Sequence, residues 1–200
     1  MSTKKIILIV VLFLLGIGVT ITGAVLMVTE NPGKKISAEA FKEKIIKDGC
    51  NISDEQNSKT GNIKTQIISM EYGCPYNISY VEFHDTDYQK NYVASNINKI
   101  NYNNGNITTR LNINIFDYQE VRTIGSAYNV LISRDDMVVM ASSTKKNKEK
   151  LDQVIDSLGI ITEIAWNKIW LPGIGIVLIW VSMILLVIFL IQNNRKKKLQ

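Results

Sequence analysis

Two hydrophobic patterns divide this chain: unbroken apolar runs at both ends, and short-period mixed runs between them. Ile6 to Val28 and Ile169 to Ile191 each span 23 residues without one Asp, Glu, Lys, Arg or His. At about 1.5 Å per residue, such a helix crosses a hydrocarbon core of about 30 Å. A soluble core helix of this length would show a polar stripe, and neither run has one. The pattern therefore predicts transmembrane helices at 6–28 and 169–191, with a cytoplasmic N-terminus at 1–5 and a cytoplasmic tail at 192–200. Thr22-Gly23-Ala24 loosely resembles a signal-peptide cleavage site, but the run continues through Val25 to Val28, which a cleaved peptide does not need. Gly16, Thr20 and Ala24 recur every four residues and offer a stripe for close helix approach. Trp166 and Trp170 are expected as aromatics at the outer interface, whereas Trp180, near the middle of its run, reads as a packing residue.

Residues 29–168 hold the remaining pattern, with a core expected at about 37–162, enough for one domain. "ISAEAFKEKIIKDGC" predicts a helix capped by Ser37 that buries Ala38, Phe41 and Ile45 and stops at Gly49. "NISDEQNSKTGN" reads as a loop. "IKTQIISMEYGCPYNISYVEFH" predicts two strands joined around Gly73-Cys74-Pro75. In "DTDYQKNYVASNINKI", Thr86 with Gln89 fits a capping box, and Val93, Ile97 and Ile100 share a face. A turn at "NYNNGN" follows. The next strand alternates Leu111, Ile113 and Ile115 inward with Asn112 and Asn114 outward. A hairpin around Arg134-Asp135-Asp136 follows, with Glu120–Ile124 as an optional further strand. A last helix carries Leu151, Val154, Ile155 and Leu158 on one face and ends at Gly159. The order αββαβββα predicts an α+β domain, an antiparallel sheet with helices packed on one face.

Charge changes the picture at the ends. Lys4 and Lys5 precede the first apolar run, and Arg195, Lys196, Lys197 and Lys198 follow the second, so both termini are expected in the cytoplasm and the central domain outside. Without those six cations, 17 of the 23 Lys and Arg remain against 18 Asp and Glu, a net charge of −1 between the runs. The sequence pI of about 9.1 thus belongs to the anchors and gives no reason to expect nucleic acid as a partner. The terminal cations face the lipid headgroups, where anionic lipid would attract them.

Candidate chemistry is sparse. Cys50 and Cys74, the only cysteines, fall in the external segment and are expected to form a disulfide. His84, with Asp85 and Asp87, has the residue types of a cation site or a general base, but its place at a strand-to-helix junction favours helix capping. No G-x-S-x-G elbow, P-loop or soluble G-x-G-x-x-G occurs, and both "GIG" triplets lie inside apolar runs. No metal, cofactor or catalytic residue is expected. The eight tyrosines suit half-buried strands, with some available for a partner surface. Asn51, Asn77 and Asn106 begin N-x-S/T sequons, which the abundance of Asn explains by chance. The Ile, Lys and Asn excess suits a bacterial cell envelope.

These features predict a two-span membrane protein whose external domain binds a protein partner, another copy of itself or a ligand as a non-enzymatic subunit or sensor. A channel or transporter accessory is the first alternative, disfavoured because the spans hold no ionisable residue. A membrane-anchored envelope hydrolase using paired carboxylates is the second.

Overall fold

The computed structural model describes residues 3–70, 74–104, 106–113 and 117–197, without the side chains of 3–4, 101–108 and 193–197. It divides into two units: residues 33–162, and the terminal segments 1–32 and 163–200.

The terminal unit is a helical hairpin. Its uniformly apolar runs become α1 (Thr3–Thr29) and α5 (Trp170–Lys197), each long and apolar enough to cross a membrane. Gly16 lies against Ile179 and Gly175, and Gly23 against Pro172 and Leu171, so the helices run antiparallel. The approach is backbone to backbone: a Cβ on Gly175 would sit 2.6 Å from the Gly16 carbonyl oxygen. Thr20 donates its hydroxyl to that same oxygen at 2.8 Å, leaving no polar group of its side chain for lipid. Ala24 is exposed, so the contact line follows Gly16, Thr20 and Gly23 rather than the fourfold stripe. Asn31 and Glu163 form a bridge just beyond the helices, and Ala165 N–H donates to Met27 O at 2.8 Å. Elsewhere the hairpin presents large apolar side chains outward, among them Leu14, Val177 and Leu190.

The second unit is α+β and follows the expected order, with the Glu120–Ile124 strand present and one edge strand added. Ser37 accepts from Ala40 N–H and starts α2 (Ala38–Lys47), whose Ala38, Phe41 and Ile45 are buried. Polar residues after Gly49 form β1 (Asp54–Asn57), a four-residue edge strand where the sequence reads as loop. Pairing with β2 (Ile63–Ser69) creates it, a tertiary cause that local propensity does not carry. Then come β3 (Tyr76–Phe83) and α3 (Thr86–Asn104). They are followed by β4 (Asn106–Ile113), β5 (Tyr118–Ile124), β6 (Tyr128–Arg134) and β7 (Met137–Ser143). α4 (Lys148–Ser157) closes the unit. The seven strands form one antiparallel sheet in the order β1-β2-β3-β7-β6-β5-β4.

The helices occupy both faces of this sheet, not one. Alternation sends Tyr80, Val139, Ile132 and Glu120 to one face, where Phe41 of α2 packs on Tyr80 at 5.2 Å and Asp152 of α4 meets Arg122. Val81, Val138, Leu131 and Val121 point the other way and pack with Val93 and Ile97 of α3. The odd and even residues of the central strands are both apolar, the pattern of strands covered twice.

Candidate functional site

The face under α2 and α4 is filled and internally satisfied. Tyr118 donates to Glu120 Oε2 at 2.5 Å, and Arg122 donates to the other oxygen of that carboxylate at 2.5 Å. Arg122 also reaches Asp152 at 2.7 Å, which Lys148 holds from the next turn of α4 at 2.7 Å, while Tyr128 donates to the same carboxylate at 2.5 Å. Burial raises the Tyr118 and Tyr128 hydroxyls well above a free phenol, and the neighbouring carboxylates add to the shift. These groups pin α4 to β5 and β6. Tyr76, Tyr80, Tyr118 and Tyr128 are all fully buried, so the majority of the described tyrosines pack rather than recognise.

The chain comes into and leaves the domain on neighbouring segments. Lys34 N–H donates to Gly159 O at 2.9 Å, and Gly33, at φ +64°, lies so close that a Cβ would sit 2.8 Å from Ile160 O. Lys35 bridges Glu82 at 2.6 Å and Asp136 at 2.5 Å, and Lys64 meets Glu82 at 3.0 Å. Burial alone would raise the Glu82 carboxyl, but its two lysine partners outweigh this and hold it below the usual range. Arg134 is buried, and among the described residues it has no ion pair with a carboxylate. Its Nε donates to Ile160 O at 3.1 Å, a terminal nitrogen donates to Thr162 Oγ1, and the guanidinium lies 4.6 Å from the Tyr118 ring centre. Burial lowers its proton affinity, opposed by Tyr118 and Asp135.

The opposite face is open beside α3. A groove of about 880 Å³ runs between that helix and β4, β5 and β6. Arg110 faces the same side as Val121, and Asn112, Gln119 and Ser133 form one row across three strands. On the helix side, Val93 and Ile97 give an apolar wall and Asn98 an amide. Gln89, only 4% exposed, donates to Ser133 Oγ at 3.1 Å and to Met137 O at 3.2 Å. It turns inward instead of closing a capping box; the cap is Asp85, whose Oδ1 accepts from the N–H groups of Asp87 and Tyr88. Asp117 and Asp135, both with positive φ, and Asp136 line one end of the groove. Sequence reasoning missed this site, because its members lie on three strands and a helix far apart in the chain and share no spacing.

The residues singled out from sequence do not converge. Cys50 and Cys74 are disulfide-bonded, with Cα atoms 4.8 Å apart, tying the end of α2 to the start of β3. His84 is exposed, with Nε2 3.2 Å from Ser58 O, and Asp87 pairs with Lys90 at 3.4 Å. Trp166, one turn before α5, and Trp170, its first residue, are both exposed. Trp180 is 66% exposed and points away from α1, so it is not a packing residue of the hairpin. Lys5 is exposed on α1; the side chains of Lys4, Arg195, Lys196 and Lys197, and all of Lys198, lie outside the described residues, as do Asn114 and Ile115.

Fold and groove together define a class: an α+β domain with an open, mixed-charge groove, bracketed in sequence by two apolar helices. No protein-family model matches the chain, and no curated protein matches it. Among solved structures, a GTP-binding regulator from Thermotoga maritima aligns over 64% of this chain and 90% of its own, at 10% identity and a TM-score of 0.37. A likeness of that size carries no argument.

Proposed function

We propose that the α1–α5 hairpin anchors this protein in a bacterial cell membrane, with both termini cytoplasmic and residues 33–162 outside. The outer domain is a non-enzymatic binding module, a sensor or subunit of the envelope that takes its ligand or protein partner in the α3 groove. The observation that carries the reading is the antiparallel pairing of two helices whose 23-residue runs, 6–28 and 169–191, hold no charge and turn large apolar side chains outward. Contiguous apolar area on that scale is rare on a soluble monomer and ordinary in lipid. Antiparallel pairing brings the start of α1, with Lys4 and Lys5, to the same end as the close of α5, with Arg195, Lys196 and Lys197, and such an excess of cations favours the cytoplasmic side. A disulfide between Cys50 and Cys74 suits an oxidising compartment. The groove suits binding because the amides of Asn112 and Gln119 and the Ser133 hydroxyl lie in one row along it.

The test is cysteine labelling in intact cells with a membrane-impermeant maleimide, followed by crosslinking and mass spectrometry. Lys59→Cys, on an exposed loop, is expected to label at once, and Lys5→Cys only after permeabilisation. Crosslinks from the groove rim are expected to recover a defined partner. Labelling in the reverse order removes the topology, and a groove that crosslinks to nothing removes the binding role.

A further inference from the structure

The groove carries charges of both signs at separated positions. Arg110 stands on β4, while Asp117 and Asp135 stand where β5 begins and β6 ends. Among the described residues, none of these three side chains has a hydrogen bond or ion pair. Asn98, Asn112 and Gln119 likewise keep their amides uncommitted, in contrast to the satisfied network on the opposite face. Resting on the reading of this groove as the binding face, we propose that it takes a short free peptide in extended conformation, with the amino group at Asp117 and Asp135 and the carboxylate at Arg110.

Three physical points select that ligand. Of the groove's charges, Lys90 is paired with Asp87 and Asp136 with Lys35, which leaves Asp117, Asp135 and Arg110 to meet a ligand: a polyanion meets the two carboxylates and a bare cation meets Arg110, so a ligand carrying both charges fits better than either. Each side-chain amide offers a donor and an acceptor together, which matches the alternating N–H and C=O of an extended backbone, while Val93 and Ile97 supply contact for small side chains. The spacing also fits. Arg110 lies opposite Val121, four residues along β5 from Asp117, or about 13 Å of strand. Four extended residues span about the same length.

The experiment uses the full-length protein in lipid nanodiscs. Its probes are tetra-alanine and a randomised mixture of free tetrapeptides, each also N-acetylated, C-amidated or blocked at both ends. Binding is read by calorimetry and by hydrogen exchange in α3 and β4, with thermal unfolding confirming that each variant is folded. Free peptides are expected to protect both elements, and blocking either end to weaken binding at least tenfold. Arg110→Gln abolishes the difference between acid and amide but retains that between amine and acetyl; Asp117→Asn with Asp135→Asn does the converse. Absence of binding by every free peptide, or equal binding of the doubly blocked forms, overturns the proposal. If that happens while crosslinking in cells still recovers a partner from the groove rim, the peptide assignment falls and the binding-module reading stands; if no partner is recovered either, both fall.

Discussion

Glu82 shows how single residues hold the domain together. Its carboxylate is nearly buried between Lys35 and Lys64, and Lys35 in turn reaches Asp136. The carboxyl pKa is lower in the fold than the model-peptide value of 4.5, so the unfolded chain binds this proton more readily than the native one. The stabilisation from Glu82 is therefore fully present above about pH 4.5 and is lost as the pH falls through the lower, native value. Glu82→Gln is expected to cost about 1–2 kcal/mol at neutral pH, the range for charge-assisted hydrogen bonds reduced for the partial exposure of both lysines. The cost should shrink toward zero in acid. Urea unfolding at pH 7 and pH 3 measures the difference, and a pH-independent cost would mean that the charge is not what matters.

Within the domain, α2 is held by its buried face of Ala38, Phe41 and Ile45. Phe41 is fully buried and packs on Tyr80, so Phe41→Ala is expected to lose about 3–5 kcal/mol in denaturant unfolding, against near-neutrality for the exposed Glu43→Ala on the same helix. In the hairpin the equivalent dependence is on missing side chains. Gly175→Leu would drive a branched group into the Gly16 turn, whereas a Cβ on Gly18 meets nothing within 4 Å. Spin labels at Lys5 and Gln192 should report several ångströms of separation for Gly175→Leu and none for Gly18→Leu; equal behaviour would end the close-approach account. Much of this was legible in the sequence. Ser37, Gly49 and Gly159 mark helix ends, and the buried positions of α2, α3 and α4 follow their 3.6-residue spacing. Local pattern fails where long-range partners decide. β1 exists because β2 lies beside it, and Asp85 displaces Thr86 as cap while Gln89 is drawn inward by Ser133. Strand periodicity identifies apolar residues on both faces of β6 and β7 but does not say which helix covers which face, so the divided placement of helices, and with it the groove, needed the tertiary structure.

At the scale of the whole molecule, the apolar ends and the α+β middle were readable because each is set by composition over twenty or more residues, on which tertiary context has little leverage. The groove was not, because its charges meet only through strand register. The side-by-side course of residues 33–36 and 159–162 gives the chain a modular character. Lys35 clamps the first segment to the turn after β6, and Arg134, the last residue of β6, clamps the second. Beyond them, Asn31 and Glu163 are bridged to each other within the hairpin. The domain is thus a cassette set between two abutting ends: Pro32 and Glu163 would need only a short splice to make the anchor a continuous helical hairpin, and an unrelated domain with adjacent termini would fit the same slot.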